Sequence, residues 1–162
     1  MPARKVARPP RSSPRSSRCL TSLFARGLAV TIYNAPYDLS LLRHEALRHG
    51  VEPLVEPRAI IDPLVLDRVV DKYRKGKRTL EAAAAVYGVE LRDAHDASAD
   101  AVAAGRIAQA MARLHPAQLA VEGALLHTQQ ITWCAEQSAD FQDYMRRTHN
   151  PDFTTSGLWP VR

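Results

Sequence analysis

The stretch from residue 28 to residue 42 constrains the fold more than any other. Residues 28–33 form a nearly unbroken apolar and β-branched run, typical of a strand buried on both faces of a mainly parallel sheet. The run stops at Asn34-Ala35-Pro36, because proline lacks an N–H and biases the preceding residue away from the helical region. Asp38 then begins a helix. Its apolar stripe is formed by Leu39, Leu42 and Ala46. The sequence therefore predicts an α/β fold with a carboxylate at the carboxyl end of a strand, where such sheets build their sites.

The other elements follow from periodicity and breakers. A second short strand is predicted at 59–62, so that strand, helix and strand form one right-handed βαβ unit. Residues 20–27 look like the end of a helix that stops at Gly27. Further helices are predicted at 64–75, 80–87, from about 100 to 114, and 117–147. The last of these is expected to bury Leu119, Leu126, Trp133 and Phe141.

The helix that starts near Asp100 has a clear inward face. Its apolar positions are Ala103, Ala104, Ile107 and Met111, and its outward positions are Arg106, Gln109 and Arg113. Asp100 lies on the inward side, where a carboxylate is costly unless it is paired, hydrogen-bonded or bound to a cation. His95 precedes this helix and lies in a loop if Asp96 or Ser98 is the N-cap. From spacing alone, His95 can equally be a surface histidine, Asp96 a cap, and Asp38 the N-cap of its own helix.

Composition narrows the class of protein. The 162 residues, 46% of them hydrophobic, suffice for one domain with a real core. No apolar run is long enough for a membrane span, so we expect a soluble protein. Cys19 and Cys134 are isolated, which favours reduced thiols in a cytoplasmic setting.

The positive charge is concentrated at the N-terminus. The net charge is +5, but residues 1–26 carry seven Lys or Arg and no acid, which leaves fifteen basic and seventeen acidic residues for the remainder. The average charge is therefore no evidence that the folded part binds nucleic acid. Residues 1–22 are predicted to be a disordered basic segment. Three interpretations stay open for it: a transit peptide, a basic arm for phosphates, or a stretch without a native role.

A second basic stretch runs from Lys72 to Arg78, with five positive charges in seven residues around Tyr73. Such a run can hold the backbone of a single nucleic-acid strand, with Lys77 and Arg78 as substrate contacts. The alternative is a solvated helix C-terminus whose charges suit the helix dipole.

Two motifs occur in order along the chain. Asn34-x-x-Tyr37-Asp38 and His95-x-x-x-x-Asp100 resemble the second and third motifs of the DEDDh 3′→5′ exonucleases, the family of the proofreading epsilon subunit of bacterial DNA polymerase III. Residues 60–62 and 79–80 also stand where that family has similar residues, so that the resemblance covers roughly residues 24–114.

The resemblance implies a ribonuclease-H-like fold and hydrolysis of phosphodiesters by two Mg²⁺ or Mn²⁺ ions. It implies that Asp38 and Asp100 are metal ligands and that His95 is the general base, while Asn34 and Tyr37 shape the site. The implied substrates are single-stranded DNA 3′ ends, with DNA favoured over RNA. The implied partners are a polymerase subunit or a second copy of the chain, in proofreading or repair.

One family motif is missing. The family's first motif is Asp-x-Glu on the opening strand, and this chain has no Asp or Glu before Asp38. We therefore expect a fold that lacks its first strands, and an uncovered edge on the strand at 28–33. A partner chain or a swapped segment would have to cover that edge, unless the chain is an incomplete gene product.

Three units are predicted: the basic segment 1–22, a partial exonuclease domain at 23–115, and extra C-terminal helices with a tail at 116–162, interpreted as a packing appendage or dimer surface. Three functions remain. The leading one is a 3′→5′ exonuclease, which would be inactive as this chain alone. The others are a noncatalytic remnant that binds nucleic acid or a protein partner, and an unrelated α/β domain with accidental motifs.

Overall fold

The computed structural model describes residues 13–54, 57–91 and 96–162. Seven helices and two strands occur in these ranges, in the order α1 (Ser13–Ala25), β1 (Val30–Thr31), α2 (Ala35–Arg48), β2 (Ile60–Ile61), α3 (Pro63–Val70), α4 (Leu80–Val86), α5 (Ala97–Leu114), α6 (Pro116–Leu119) and α7 (Gly123–Thr148). Among the described helices, none has both the length and the apolarity that crossing a bilayer requires.

The two strands pair in parallel, with Val30 opposite Ile60 and Thr31 opposite Ile61. The predicted βαβ unit is therefore confirmed, with α2 as its crossover. The strands are much shorter than predicted, and Val30 and Thr31 are half-buried. The prediction of a doubly buried strand over 28–33 is wrong, because β2 is the one strand that borders β1 in the described part of the chain.

The outer edge of β2 is closed by side chains of α7. The N–H of Ile60 donates to Nδ1 of His127 at 3.2 Å, and the N–H of Asp62 donates to Oε1 of Gln130 at 2.7 Å. Nε2 of Gln130 donates in turn to the carbonyl of Ile60 at 2.9 Å. Gln130 thus supplies the donor and the acceptor that a neighbouring strand would supply. The C-terminal helix is part of the central packing, where the sequence predicted an appendage.

Two clusters of buried side chains form the core. The first lies between α3, α4, α5 and α7 and comprises Leu66, Ala83, Ala84, Ile107, Met111, Leu119 and Leu126. The second lies around the sheet and comprises Ala35, Leu39, Ile60, Val65, Cys134 and Trp159. The predicted inward and outward faces of α5 are confirmed.

The C-terminal helical region differs from its prediction in detail. It is broken into α6 and α7 between Leu119 and Gly123. Leu119 and Leu126 are buried as expected, whereas Trp133 is half-buried. The expectation that Phe141 is buried is wrong: it is 50% exposed and packs edge-on against Phe153 at 5.5 Å between ring centroids.

At the N-terminal end, α1 runs from Ser13 to Ala25, which confirms the helix predicted to stop at Gly27. Residues 13–19 are also helical, where the sequence predicted disorder. The physical reason is tertiary packing, because Leu20 and Phe24 contact the second buried cluster. Residues 1–12 lie outside the described part of the chain.

A buried carboxylate ends α3 five residues earlier than predicted. Asp67 is fully buried and accepts from Arg74 Nη2 and Arg78 Nη1, both at 2.5 Å, and from the Tyr87 hydroxyl at 2.7 Å. Burial alone would raise the pKa of Asp67, but the hydrogen bonds from Tyr87, Arg78 and Arg74 outweigh it and lower the pKa. Residues 71–78 therefore fold back over Asp67 instead of continuing the helix.

Candidate functional site

The carboxyl end of β1 passes into α2 through a tight turn. Asn34 is in the left-handed conformation, with φ 60° and ψ 50°, and α2 begins directly after it with Pro36 in its first turn. Proline suits this place because its missing N–H is not needed in the first turn. The helix thus begins three residues earlier than predicted, and Asp38 lies within the first turn instead of at its start.

The start of α2 is held by a carboxylate from the other strand. Asp62, which is 1% exposed, accepts from the backbone N–H groups of Asn34 and Ala35, both at 2.8 Å. It also accepts from the N–H of Leu64 at 3.0 Å and is the N-cap of α3. Burial raises the pKa of Asp62, although these backbone donors and Trp159 act in the opposite direction. Because Asp62 performs the capping, the interpretation of Asp38 as the N-cap of α2 is wrong.

Asp38 is consequently free of a capping role and points outward. Its side chain is exposed, yet partial desolvation raises its pKa, opposed by a hydrogen bond to its own backbone. Tyr37, beside it, is largely exposed as well. Two residues of the predicted Asn34-x-x-Tyr37-Asp38 site therefore lie on an accessible surface next to the end of β1.

Asp100 occupies the equivalent place on α5. Asp96, one of the two caps that the sequence left open, is the N-cap of this helix and accepts from the N–H groups of Ser98 at 2.8 Å and Ala99 at 3.1 Å. Asp100 follows in the first turn and is half-buried. Since α5 packs against β1, both carboxylates stand in the first turns of helices that adjoin the same strand.

The described residues do not complete a metal centre. His95, the predicted general base, lies outside them, in the gap at 92–95. In residues 13–54, 57–91 and 96–162, no three His, Cys, Asp or Glu side chains are grouped so that they could hold a metal ion. A two-ion site needs more oxygen ligands than Asp38 and Asp100 supply. The residues present therefore do not fit the implied pair of ions, and we derive no step through them.

The basic run reaches the strand end through its last residues. The Tyr33 hydroxyl donates to the carbonyls of Arg78 at 2.8 Å and Thr79 at 3.2 Å. The Arg78 guanidinium is turned inward, to Asp67 and to the carbonyl of Asp71, which favours a structural role. Lys77 is exposed. Substrate binding by Lys77 and Arg78 stays a prediction, and the geometry favours it for Lys77 more than for Arg78.

Sequence reasoning missed the residues that support this site. Trp159 donates from Nε1 to Asp62 at 3.3 Å, and the backbone N–H of Arg162 donates to Oγ of Ser40 on α2 at 2.8 Å. The C-terminal tail, which follows α7, thus contacts both the crossover helix α2 and the end of β2. Asp62 could have been found, because an Asp before a Pro at a strand end is typical of an N-cap. Gln130 and Trp159 carry no local signal.

Comparison with known proteins gives one family. Residues 19–108, more than half of the chain, match the model of the exonuclease family of the RNase T type. Neither the curated proteins nor the solved structures gave a significant match.

Proposed function

The chain belongs to the exonuclease family, and we propose that its site is that of a 3′→5′ exonuclease acting on single-stranded nucleic acid, DNA more than RNA. The family match supports a hydrolase of the nuclease type with a ribonuclease-H-like α/β fold, and such enzymes generally use divalent metal ions. The proposal includes the 3′→5′ direction of degradation and the single-stranded substrate. It also includes a proofreading or repair role in the cytoplasm, beside a polymerase subunit or a second copy of the chain.

One observation carries the proposal. Asp38 and Asp100, far apart in sequence, stand in the first turns of two helices that adjoin β1. Asp62 fixes the start of one of these helices by accepting from two of its backbone N–H groups. In this assignment Asp38 and Asp100 would hold divalent ions only together with the ligands that this chain lacks. His95 would be the general base, a role that suits the near-neutral pKa of histidine in general.

The chain alone supplies only part of the ligand set. No acidic residue precedes Asp38, and hard cations hold their water unless several negative oxygens compete for them. We therefore expect the 162-residue chain to show no detectable hydrolysis by itself. The same shortage of ligands favours a second function, in which the chain binds single strands or a protein partner without cleaving nucleic acid.

The test joins the missing motif to this chain. The opening strands of an RNase T-type exonuclease, with their Asp-x-Glu, are fused ahead of Leu28, and a 5′-labelled single strand is incubated with Mg²⁺ or Mn²⁺. The fusion should shorten the strand stepwise from its 3′ end. Asp38→Asn and Asp100→Asn should abolish this shortening, and His95→Ala should slow it by about 10²-fold or more.

The control is Asp152→Asn, an exposed carboxylate in the tail, which should leave the rate unchanged. Unaltered digestion by Asp100→Asn would overturn the assignment of the site. A folded fusion that binds single strands and never shortens them would instead establish the second function.

A further inference from the structure

A groove separates the segment after α3 from the outer face of α7. Its volume is about 1210 Å³, and residues of α3, of the basic segment 72–78 and of α7 line it. Pockets for small ligands typically measure roughly 300–1,000 Å³ and enclose most of their ligand. This groove is larger and open, so it fits an extended chain better than a small molecule.

Cations lie on both walls of the groove. Arg68 and Lys72 line one wall and Arg147 the other, and all three are exposed. Lys72 Nζ pairs with Asp140 across the groove at 2.7 Å, and this pairing raises the pKa of Lys72. Ion pairs between exposed side chains are weak, so a phosphate oxygen can take the place of Asp140.

Aromatic rings stand exposed beside these cations. Tyr73 is 86% exposed, Phe141 50% and Tyr144 49%, and all three line the groove. Rings that face solvent next to cations are the usual platform for unstacked bases, because every base has a π-face to stack on. A folded duplex offers no free base faces, so this combination selects single strands.

The α7 wall also carries three carboxylates, Glu136, Asp140 and Asp143, which follow one another at helical spacing. Carboxylates repel phosphates but accept hydrogen bonds from exocyclic amino groups such as N4 of cytosine. A strand in the groove would therefore turn its phosphates toward Arg68 and Lys72 and its bases toward α7. Thymine and uracil have no amino group, and their one donor, the N3 imide N–H, lies between two carbonyl oxygens that a carboxylate repels.

We propose that this groove binds single-stranded nucleic acid and prefers amino-bearing bases to thymine or uracil. Arg78 lines the groove, and its carbonyl accepts a hydrogen bond from the hydroxyl of Tyr33, which immediately precedes the turn between β1 and α2. This bond links the groove to the strand end from which Asp38 follows. The inference rests on the proposed function, because it describes how that site would receive its strand.

The test measures binding without hydrolysis. Fluorescence anisotropy of labelled oligo-dC and oligo-dT is followed in EDTA with the full chain. Arg68→Ala/Lys72→Ala should reduce the slope of log affinity against log salt by about 1.4, since each phosphate contact to a single strand contributes about 0.7. The charge-matched control is Arg106→Ala/Arg113→Ala on the outward face of α5, which should leave the wild-type slope less affected.

Two further variants separate stacking from base selection. Tyr73→Ala should weaken binding about tenfold, whereas Tyr73→Phe, which keeps the ring, should bind as the wild type does. Glu136→Ala/Asp143→Ala should remove the preference for oligo-dC, because the carboxylates that accept from N4 of cytosine are lost. It should also raise the affinity for oligo-dT, because the repulsion between these carboxylates and the strand is lost.

The proposal is overturned if the groove and control variants behave alike, or if oligo-dT binds as tightly as oligo-dC. The outcomes are separable from those of the proposed function. If the fusion hydrolyses single strands but the groove variants bind as the wild type does, only the proposal for the groove is refuted. If the fusion binds single strands through the groove but never hydrolyses them, only the exonuclease assignment is refuted.

Discussion

Replacing Asp62 with alanine should destabilise the protein far more than the loss of an ordinary helix cap. Asp62 accepts from Asn34, Ala35 and Leu64 in the backbone and from the Trp159 indole. Two of these donors, those of Ala35 and Trp159, are fully buried. The variant would leave both without a partner and would uncap α3.

The magnitude follows from these bonds. A lost N-cap costs about 1 kcal/mol, and each buried donor left unpaired costs about 1–3 kcal/mol. Burial raises the pKa of Asp62, so removal of its charge offsets part of this loss. We therefore expect a decrease of about 3 kcal/mol in the free energy of unfolding, a large part of the roughly 5–15 kcal/mol of a typical domain.

Two variants make the measurement specific. Asp62→Asn keeps one acceptor for Asn34 and Leu64 but turns an amide toward the N–H of Ala35 and the Trp159 indole, so its loss should be intermediate. Asp96→Ala removes an exposed cap and should cost only about 0.5–2 kcal/mol. Urea unfolding followed by circular dichroism and Trp fluorescence gives the three values. If Asp62→Ala proves no more damaging than Asp96→Ala, the reasoning about buried donors is refuted.

Two pH predictions follow from the buried Asp67 and the half-buried His127. The folded pKa of Asp67 is depressed, so the stability that this carboxylate contributes is present above its unfolded pKa and is lost as the pH falls through the folded pKa. In urea unfolding, Asp67→Asn should therefore be less stable than the wild type near neutral pH. Its free energy of unfolding should also decrease less on acidification. Burial lowers the pKa of His127, and its Nδ1 accepts from the N–H of Ile60 only while the ring is unprotonated. The stabilisation by the neutral ring is therefore fully present above the unfolded pKa of about 6.5 and is lost as the pH falls toward the folded pKa. His127→Asn keeps an acceptor for the N–H of Ile60, so its free energy of unfolding should change less between about pH 7 and pH 5 than that of the wild type. The same pH dependence in both proteins would contradict this prediction.

Features with a local cause were predictable from the sequence. The faces of α5 depend on neighbours three or four residues apart, and the structure confirms them. The same local signal limited its N-cap to Asp96 or Ser98, and the structure shows Asp96. Thr79 caps α4 and accepts from the N–H of Ala82 at 3.3 Å; a threonine directly before an alanine-rich run is a local signal of the same kind. The position of Asp38 and Asp100 near the amino ends of their helices follows from the same kind of local signal.

Features that depend on distant partners were not predictable. Helix α3 ends at Val70 because Asp67 draws Arg74 and Arg78 back, although the amphipathic pattern continues to residue 75. Asp38 lost its expected capping role because Asp62, on the other strand, holds the start of α2. Periodicity describes one helix at a time and contains no information about such contacts.

The carboxamide of Gln130 gives the small sheet a direction of growth. On the β2 side, the outward N–H groups of Ile60 and Asp62 and the carbonyl of Ile60 are already bonded to the side chains of His127 and Gln130, which cannot continue the pattern to another strand. A peptide segment from any source could therefore extend the sheet only beside β1. Gln130 therefore blocks further strand addition on this side of the sheet. Hydrogen exchange at the amides of Ile60 and Asp62 should be equally slow with and without a strand added beside β1.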